Sequence, residues 1–482
     1  MSLRTRAAMA ILLTIGFYTL AIAVAVALLA IPYGEWVAFH RVTVRVLVFT
    51  VLVAGTIIWS ILPRPASFEA PGPRLRKEEQ PRLFQHLEEV AALVGERQPA
   101  EVYLVPEVNA GVLQAGGLLG LGGHRVMILG LPLLKVLRVS ELRAVLAHEY
   151  GHYSGGDTAL GPLVYQTRDA IMRTVANVSG RSSVMRLPFV WYAKAFLRIS
   201  QAVSRAQEFA ADRRAAMVIG ARALSDGLRA VEGAAMAYAA YFRQEFVPVL
   251  EHGFAAPYTA GFAAFLAQPS IAGQVDQAVS ESLANPKADP YDSHPPLAER
   301  IAAVSDLPPG PDPAGEGYSI ELLDGLDQLE PLVVGSLLRP GLPPLTQIGW
   351  ERVGESVFLP DWKKVADEAR QGLAGLTAGA LSSAVSNAPA YGAWTPAGRS
   401  HRLAPEELRR AGLYLLGCAL AVKLCEQGWA VEALPGEQVQ LRRGDSVLEP
   451  FEVVAQLAGG KLSAADWQSQ AEGAGIGGLV LG

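Results

Sequence analysis

The chain has 482 residues, 51% of them hydrophobic and 18% charged, with a formal net charge of −5. That length is more than one domain's worth, the positive mean hydropathy brings part of the chain to lipid, and the slight acidity gives no reason to expect a nucleic-acid partner. Its two cysteines, Cys418 and Cys425, fall seven apart on what reads as one helix. That geometry argues against a disulfide framework and against a cysteine metal site.

Taken in chain order, Ala7 to Ile31 is an uncharged apolar run, long enough for the roughly 20 residues a bilayer span needs. Val46 to Leu62 is shorter and also uncharged. A cleaved signal peptide is not expected, because its apolar core is usually ~7–15 residues and here a second span follows. Arg4 and Arg6 precede the first span, and Arg64, Arg74, Arg76 and Lys77 follow the second, against Arg41 and Arg45 in the connection. The bias predicts a hairpin over 1–62 with both ends cytoplasmic, and therefore the rest of the chain on the cytoplasmic side of an inner or plasma membrane.

Pro63 to Gln80 reads as a proline-rich linker and Arg82 to Val94 as an amphipathic helix. Glu101 to Pro106 and His124 to Gly130 read as strands joined by a Gly-rich connection, Asn109 to Gly123. A short helix over Leu131 to Leu137 follows, then a second helix that starts at Ser140 and ends near Gly155 and Gly156. Ala159 to about Gln268 is helical and Ala-rich. Within it, Leu187 to Ile199 carries Lys194 and Arg198 and is expected as a core or membrane-surface helix, not a third span. Ser305 to Gly317 reads as a linker. Beyond it, helices are expected over Ile320 to Leu338, Trp362 to Leu381 and Pro405 to Gln427, with strand-like runs near Ala430 and Gln438 and no catalytic signature. The expected organisation is a membrane hairpin (1–62), a linker (63–80), a catalytic domain (81–304), a second linker (305–317) and a separate α+β region of unassigned role (318–482).

The chemistry sits in "LAHEYGHYSGGD", Leu146 to Asp157. Each helical residue turns about 100°, so His148 and His152 present two imidazoles on one face, a spacing suited to a tetrahedral Zn²⁺. Glu149 is rotated aside, where its carboxylate reaches a metal-bound water as general base. Leu142, Val145 and Leu146 form the expected core face of that helix. A third protein ligand is needed, and "SRAQEFAADRRA", Ser204 to Ala215, offers Glu208 and Asp212 on one helical face. Glu208 can coordinate while Asp212 accepts a hydrogen bond from a ligand histidine.

With these pieces in view, the sequence resembles the HtpX-like and CAAX-prenyl-endopeptidase group of membrane zinc metallopeptidases. The resemblance rests on "HEYGHYSGGD", "SRAQEFAAD" with Arg205 ahead of Glu208, "NAG" at Asn109 to Gly111, and "SHPPLAERI" at Ser293 to Ile301, in family order. It implies a mainly α fold with a small β-sheet: a zincin-like α+β domain behind a two-helix membrane hairpin. It also implies one Zn²⁺ per chain on His148, His152 and Glu208, with Glu149 as base. HtpX-like members have two further spans between the zinc helix and the Glu helix, where this sequence offers only Leu187 to Ile199.

His294 and Arg300 are candidates to stabilise the oxyanion, or are structural. Asp157 either supports a ligand or stabilises the helix end. Asn109 and Ala110 lie either on an edge strand that pairs with an extended peptide or in an ordinary loop. The expected function is a membrane-anchored zinc endopeptidase acting on exposed, extended segments of polypeptides; the resemblance implies damaged membrane proteins among them. The alternatives are a prenyl- or lipid-peptide processing protease, or a non-enzymatic scaffold that keeps zinc for structure.

Overall fold

Two apolar helices open the chain, α1 (Leu3–Phe39) and α2 (Val44–Ile61). They are the two helices, among the described residues, long and apolar enough to cross a bilayer. The computed structural model describes residues 3–62, 68–116, 123–154, 161–179, 183–286, 294–311, 315–339, 341, 343–400 and 403–482. At the turn between the two helices the Glu35 carboxylate accepts from Thr43 N (2.9 Å) and from Thr43 Oγ1, which ties the start of α2 to the end of α1. One face of each helix is buried, with Phe17 and Ala21 meeting Val53 and Ile57, while Leu12, Ile15, Val48 and Leu52 stay exposed. Exposed apolar surface of that extent is what lipid covers.

The expected linker instead supplies β1 (Arg74–Leu75), whose Leu75 is 2% exposed. Then come α3 (Pro81–Val94), β2 (Glu101–Val105), β3 (Ala110–Ala115) and β4 (His124–Gly130). The sheet order is β1-β2-β4-β3, with β2 and β4 parallel and the other two pairings antiparallel. Half of the expected Gly-rich connection is therefore a strand, and that strand is the sheet edge. Alternation explains it: Val112 pairs with Met127 and Ala110 with Leu129, so small and branched residues sit on one pleated face.

Next are α4 (Leu131–Val136), α5 (Val139–Ser154), α6 (Gly161–Ser179), α7 (Ser183–Val218) and α8 (Ala221–Ala240). Sequence periodicity merged α6 and the first half of α7 into one Ala-rich stretch. The structure folds them back to back and packs Ala170, Ile171 and Val178 of α6, with Phe189, Ala193 and Phe196 of α7, against α1 and α2. Polar side chains tie this group together. Thr14 and Thr167 share a hydrogen bond of 3.1 Å, Tyr192 donates to Leu13 O (2.5 Å), and Asn177 donates to Ser60 Oγ (3.0 Å). Leu187 to Ile199 thus joins the helix cluster through its aromatic face, while Trp191 points outward at 74% exposure.

The stretch expected as a second linker also packs. Leu307 lies against the core, and Pro308 O and Pro309 O accept from Ala221 N (2.9 Å) and Arg222 N (3.1 Å) at the start of α8. The described chain divides into two compact units, Met1–Ala235 with Asp276–Leu337, and Met236–Val275 with Leu338–Gly482. In the first, α3, the sheet and α5 share a core that includes Leu83, Leu87, Leu104, Met127, Leu142 and Leu146. In the second, the helix Pro405–Glu426 carries the core with Trp362 and Trp467, beside a three-stranded antiparallel sheet. Phe254–Ala255 pairs in parallel with Thr346–Gln347 there, which groups 236–275 with the carboxy-terminal region. Cys418 and Cys425 are free thiols. The helix expected over Ile320 to Leu338 breaks at Gly325, which takes a left-handed φ of 68° ahead of the helix Leu326–Gly335. That over Trp362 to Leu381 breaks into shorter turns. The fold is mainly α with small sheets.

Candidate active site

Helix α5 is held at its amino end by two carboxylates. Glu141 Oε2 accepts from Arg138 N and Glu316 Oε2 from Ser140 N, each at 2.8 Å. Negative charge at a helix amino terminus satisfies otherwise unpaired N–H groups and the helix dipole. The helix begins at Val139, one residue before the expected Ser140. Leu142, Val145 and Leu146 are buried as the periodicity predicts.

The two imidazoles meet as expected from their spacing. His148 Nε2 and His152 Nε2 lie 3.1 Å apart, with the rings nearly perpendicular at 86°. The third member comes from α7. Glu208 Oε2 is 3.4 Å from His148 Nε2, and Glu208 Oε1 is 3.5 Å from His152 Nε2. One glycine permits this approach: a Cβ built on Gly151 lies 3.2 Å from Ala211 Cα and 3.3 Å from Ala211 Cβ. Gly151→Val is therefore expected to push α5 and α7 apart, at a cost of about 1–3 kcal/mol, and to weaken metal binding. Thermal unfolding beside a zinc titration reads both, and unchanged zinc affinity would reject the close-packing account.

These three donors fit a metal ion. Around Zn²⁺ with bonds of about 2.0–2.1 Å a tetrahedron has edges of about 3.3–3.4 Å, close to the observed 3.1, 3.4 and 3.5 Å. Two facing imidazole nitrogens at 3.1 Å cannot both carry a proton; they can share one, or both can turn lone pairs to one cation. The same conflict splits the two rings. Burial lowers His148, but its bonds to Asp212 and Glu208 outweigh that and push it up to about 9. Burial and the charge on His148 bring His152 down to about 4. Burial would raise the Glu208 carboxyl, yet hydrogen bonds from His148 and His294 hold it well below its ordinary value.

Around the triad stands a ring of supports. Asp212, fully buried, accepts from His148 Nδ1 at 2.9 Å. This bond leaves His148 Nε2 facing the other donors. Arg300 closes on Asp212 with both prongs, Nη2 to Oδ1 at 2.7 Å and Nε to Oδ2 at 2.8 Å. Arg300, one of the two oxyanion candidates, thus has Nε and Nη2 engaged by Asp212. Replacing Arg300 by Met leaves a buried carboxylate without its cation, and a loss of about 3–5 kcal/mol of stability is expected. Chemical denaturation checks it, and a loss under 1 kcal/mol would show that Arg300 carries little of that load.

His294 Nδ1 donates to Glu208 Oε2 at 3.0 Å, with 60% of the side chain exposed. Arg205 is half-buried three residues before Glu208 and is not among the residues lining the cleft. Asp157 lies outside the described residues.

A cavity of about 830 Å³ opens over this group. Asn109, Ala110, Glu149 and His294 line it, so the edge strand β3 begins at its wall. Gly130 makes that wall tight, since a Cβ there would meet Glu107 O at 2.1 Å. Burial raises the Glu149 carboxyl above its ordinary value. Sequence reading missed the α8 side of the cavity, where Leu224, Leu228 and Val231 look like any apolar helix stripe.

A peptidase is thus the class of protein this fold and site define, and comparison with known sequences agrees. Residues 77–307 match the family description "Peptidase family M48". Over 213 residues the chain is 30% identical to protease HtpX homolog 1 of Streptomyces coelicolor, covering 41% of this chain and 68% of that protein. No solved structure matches significantly. The chain belongs to peptidase family M48 and, with its two apolar helices, is a membrane metallopeptidase.

Proposed function

We propose that this protein is a zinc-dependent endopeptidase that cuts extended segments of other polypeptides at the cytoplasmic face of the membrane. The observation that carries the reading is the donor group of His148, His152 and Glu208, whose ligand atoms lie within 4.8 Å of one another, beside Glu149 on the wall of an open cavity. A structural zinc site closes its fourth position and has no use for a base; an open cleft lined by Glu149 favours catalysis over a scaffold.

His148, His152 and Glu208 would hold the ion. When bound, zinc lowers the pKa of water and polarises the scissile carbonyl. Glu149 takes a proton on its carboxylate oxygen and later delivers it to the leaving amine nitrogen. Its raised pKa suits a group that must hold that proton between the two steps. Asp212 and Arg300 keep the His148 ring in place, and His294 does the same for Glu208. His294 also faces the cleft, where it can donate to the developing oxyanion. Among the described residues β3 is the last strand of the sheet, and an extended peptide can add as a strand beside it. The carboxylates and amide on the cavity wall suit a polypeptide better than a prenyl chain. Tethering to the bilayer puts membrane proteins within reach, consistent with a role in their quality control.

The test is casein cleavage by the purified full chain in detergent. Activity should vanish with chelator and return with zinc, at one zinc per chain. Cleavage indifferent to chelation would end the zinc reading.

A further inference from the structure

Opposite the catalytic group, the cavity is walled by α8 and by α11 (Pro269–Ala284), the latter numbered after α9 (Val247–Glu251) and α10 (Tyr258–Ala267). The α8 stripe changes character along its length. Leu224 and Leu228 are apolar, and one turn beyond Leu228 comes Glu232. From α11 the facing residues include Glu281 and Ser282. Ser282 Oγ donates to Glu232 Oε1 at 3.1 Å, and Gln277 Nε2 donates to Glu281 Oε1 at 2.8 Å. Both donors are neutral groups, and among these contacts neither carboxylate meets a basic side chain. The basic side chains among the cavity's lining residues are each engaged by a carboxylate, His148 and Arg300 by Asp212 and His294 by Glu208. Along α8 the lining thus passes from Leu224 and Leu228 to Val231 and Glu232, with Glu281 added from α11.

Resting on the protease reading above, we infer that the Glu232 and Glu281 end of this cleft selects a lysine or arginine side chain of the substrate, two residues from an apolar side chain seated against Leu224 and Leu228. The spacing follows from two helical and strand constants. Four residues of α8 rise about 6 Å, and same-face side chains of an extended peptide stand about 6.6–6.8 Å apart. A guanidinium or ammonium group that reaches the exposed Glu281 and the half-buried Glu232 meets two acidic partners, whereas a substrate carboxylate meets two like charges. The partner is thus a basic, apolar-flanked segment of polypeptide.

The experiment uses the full chain in detergent with zinc and a set of fluorogenic peptides. They are identical except for Lys, Gln or Glu at the position two residues from a central Leu, varied on each side of it. The Lys peptide should exceed the Glu peptide in kcat/KM by roughly tenfold, and the gap should narrow as salt rises. Glu281→Lys should shrink or invert the ratio, and Glu232→Gln should reduce it, each with zinc content held at one per chain. Equal cleavage of Lys and Glu peptides by the unaltered chain, or a ratio untouched by Glu281→Lys, overturns the inference. Binding of the same peptides, labelled, to the Glu149→Gln chain separates selection from chemistry. If no peptide is cleaved yet Lys peptides still bind more tightly than Glu peptides, the protease reading fails and the charge selection stands. If binding shows no charge preference either, the selection fails.

Discussion

Glu149→Gln is expected to lower kcat/KM on a protein substrate by on the order of 10²–10⁴ while zinc content stays at one per chain. The substitution keeps the shape of the side chain and removes its ability to take a proton. Glu149 is adjacent to His148 in sequence and lines the cavity, and it is not part of the group that could hold a metal ion. Its loss should therefore reach the chemical step and leave metal binding alone. Burial raises its carboxyl pKa, so the amide also relieves an unfavourable buried charge, and thermal stability should hold or rise slightly. Metal analysis, thermal unfolding and casein cleavage, measured on one preparation, decide the matter. Activity equal to that of the unaltered chain would show that Glu149 is not the base.

The second large effect is expected at Glu208. Glu208→Ala removes one of three donors and leaves two imidazoles, which hold zinc poorly. Affinity should fall by more than the roughly 10–100-fold that loss of an outer partner costs, as in Asp212→Asn. Activity should fall with it, and excess zinc should not restore full turnover. Competition with a chelator of known affinity reads both variants on one scale. Two results would count against the assignment: one zinc per chain retained by Glu208→Ala, or an Asp212→Asn effect larger than that of Glu208→Ala. Either would move the third ligand elsewhere.

The contrast between these residues also shows where sequence reading succeeded. His148, Glu149 and His152 sit within five consecutive residues, and helical periodicity alone puts both imidazoles on one face. The same local logic found α3, β2, β4 and the apolar helices, since each has a period or an uncharged run that needs no knowledge of its neighbours. Glu208 was reachable because Asp212 follows it at helical spacing and because the surrounding residues resemble a family segment. The strand β3 was hidden by Gly111 and the glycines that follow it, which weaken the strand pattern, and it is the pairing with β4 that sets its register.

What the sequence determined by itself is the set of local groups: two imidazoles and a carboxylate on one helix, a carboxylate pair on another, and two apolar helices ahead of them. What the tertiary structure decided is the company these groups keep. Arg300 lies 88 residues beyond Asp212 and His294 86 residues beyond Glu208, and no local period links positions so far apart. The same holds for the return of α6 and α7 onto the membrane helices, for the grouping of 236–275 with the carboxy-terminal region, and for the acidic wall of the cleft. Local periodicity records which face of an element turns inward; which element it meets there depends on packing across the whole chain.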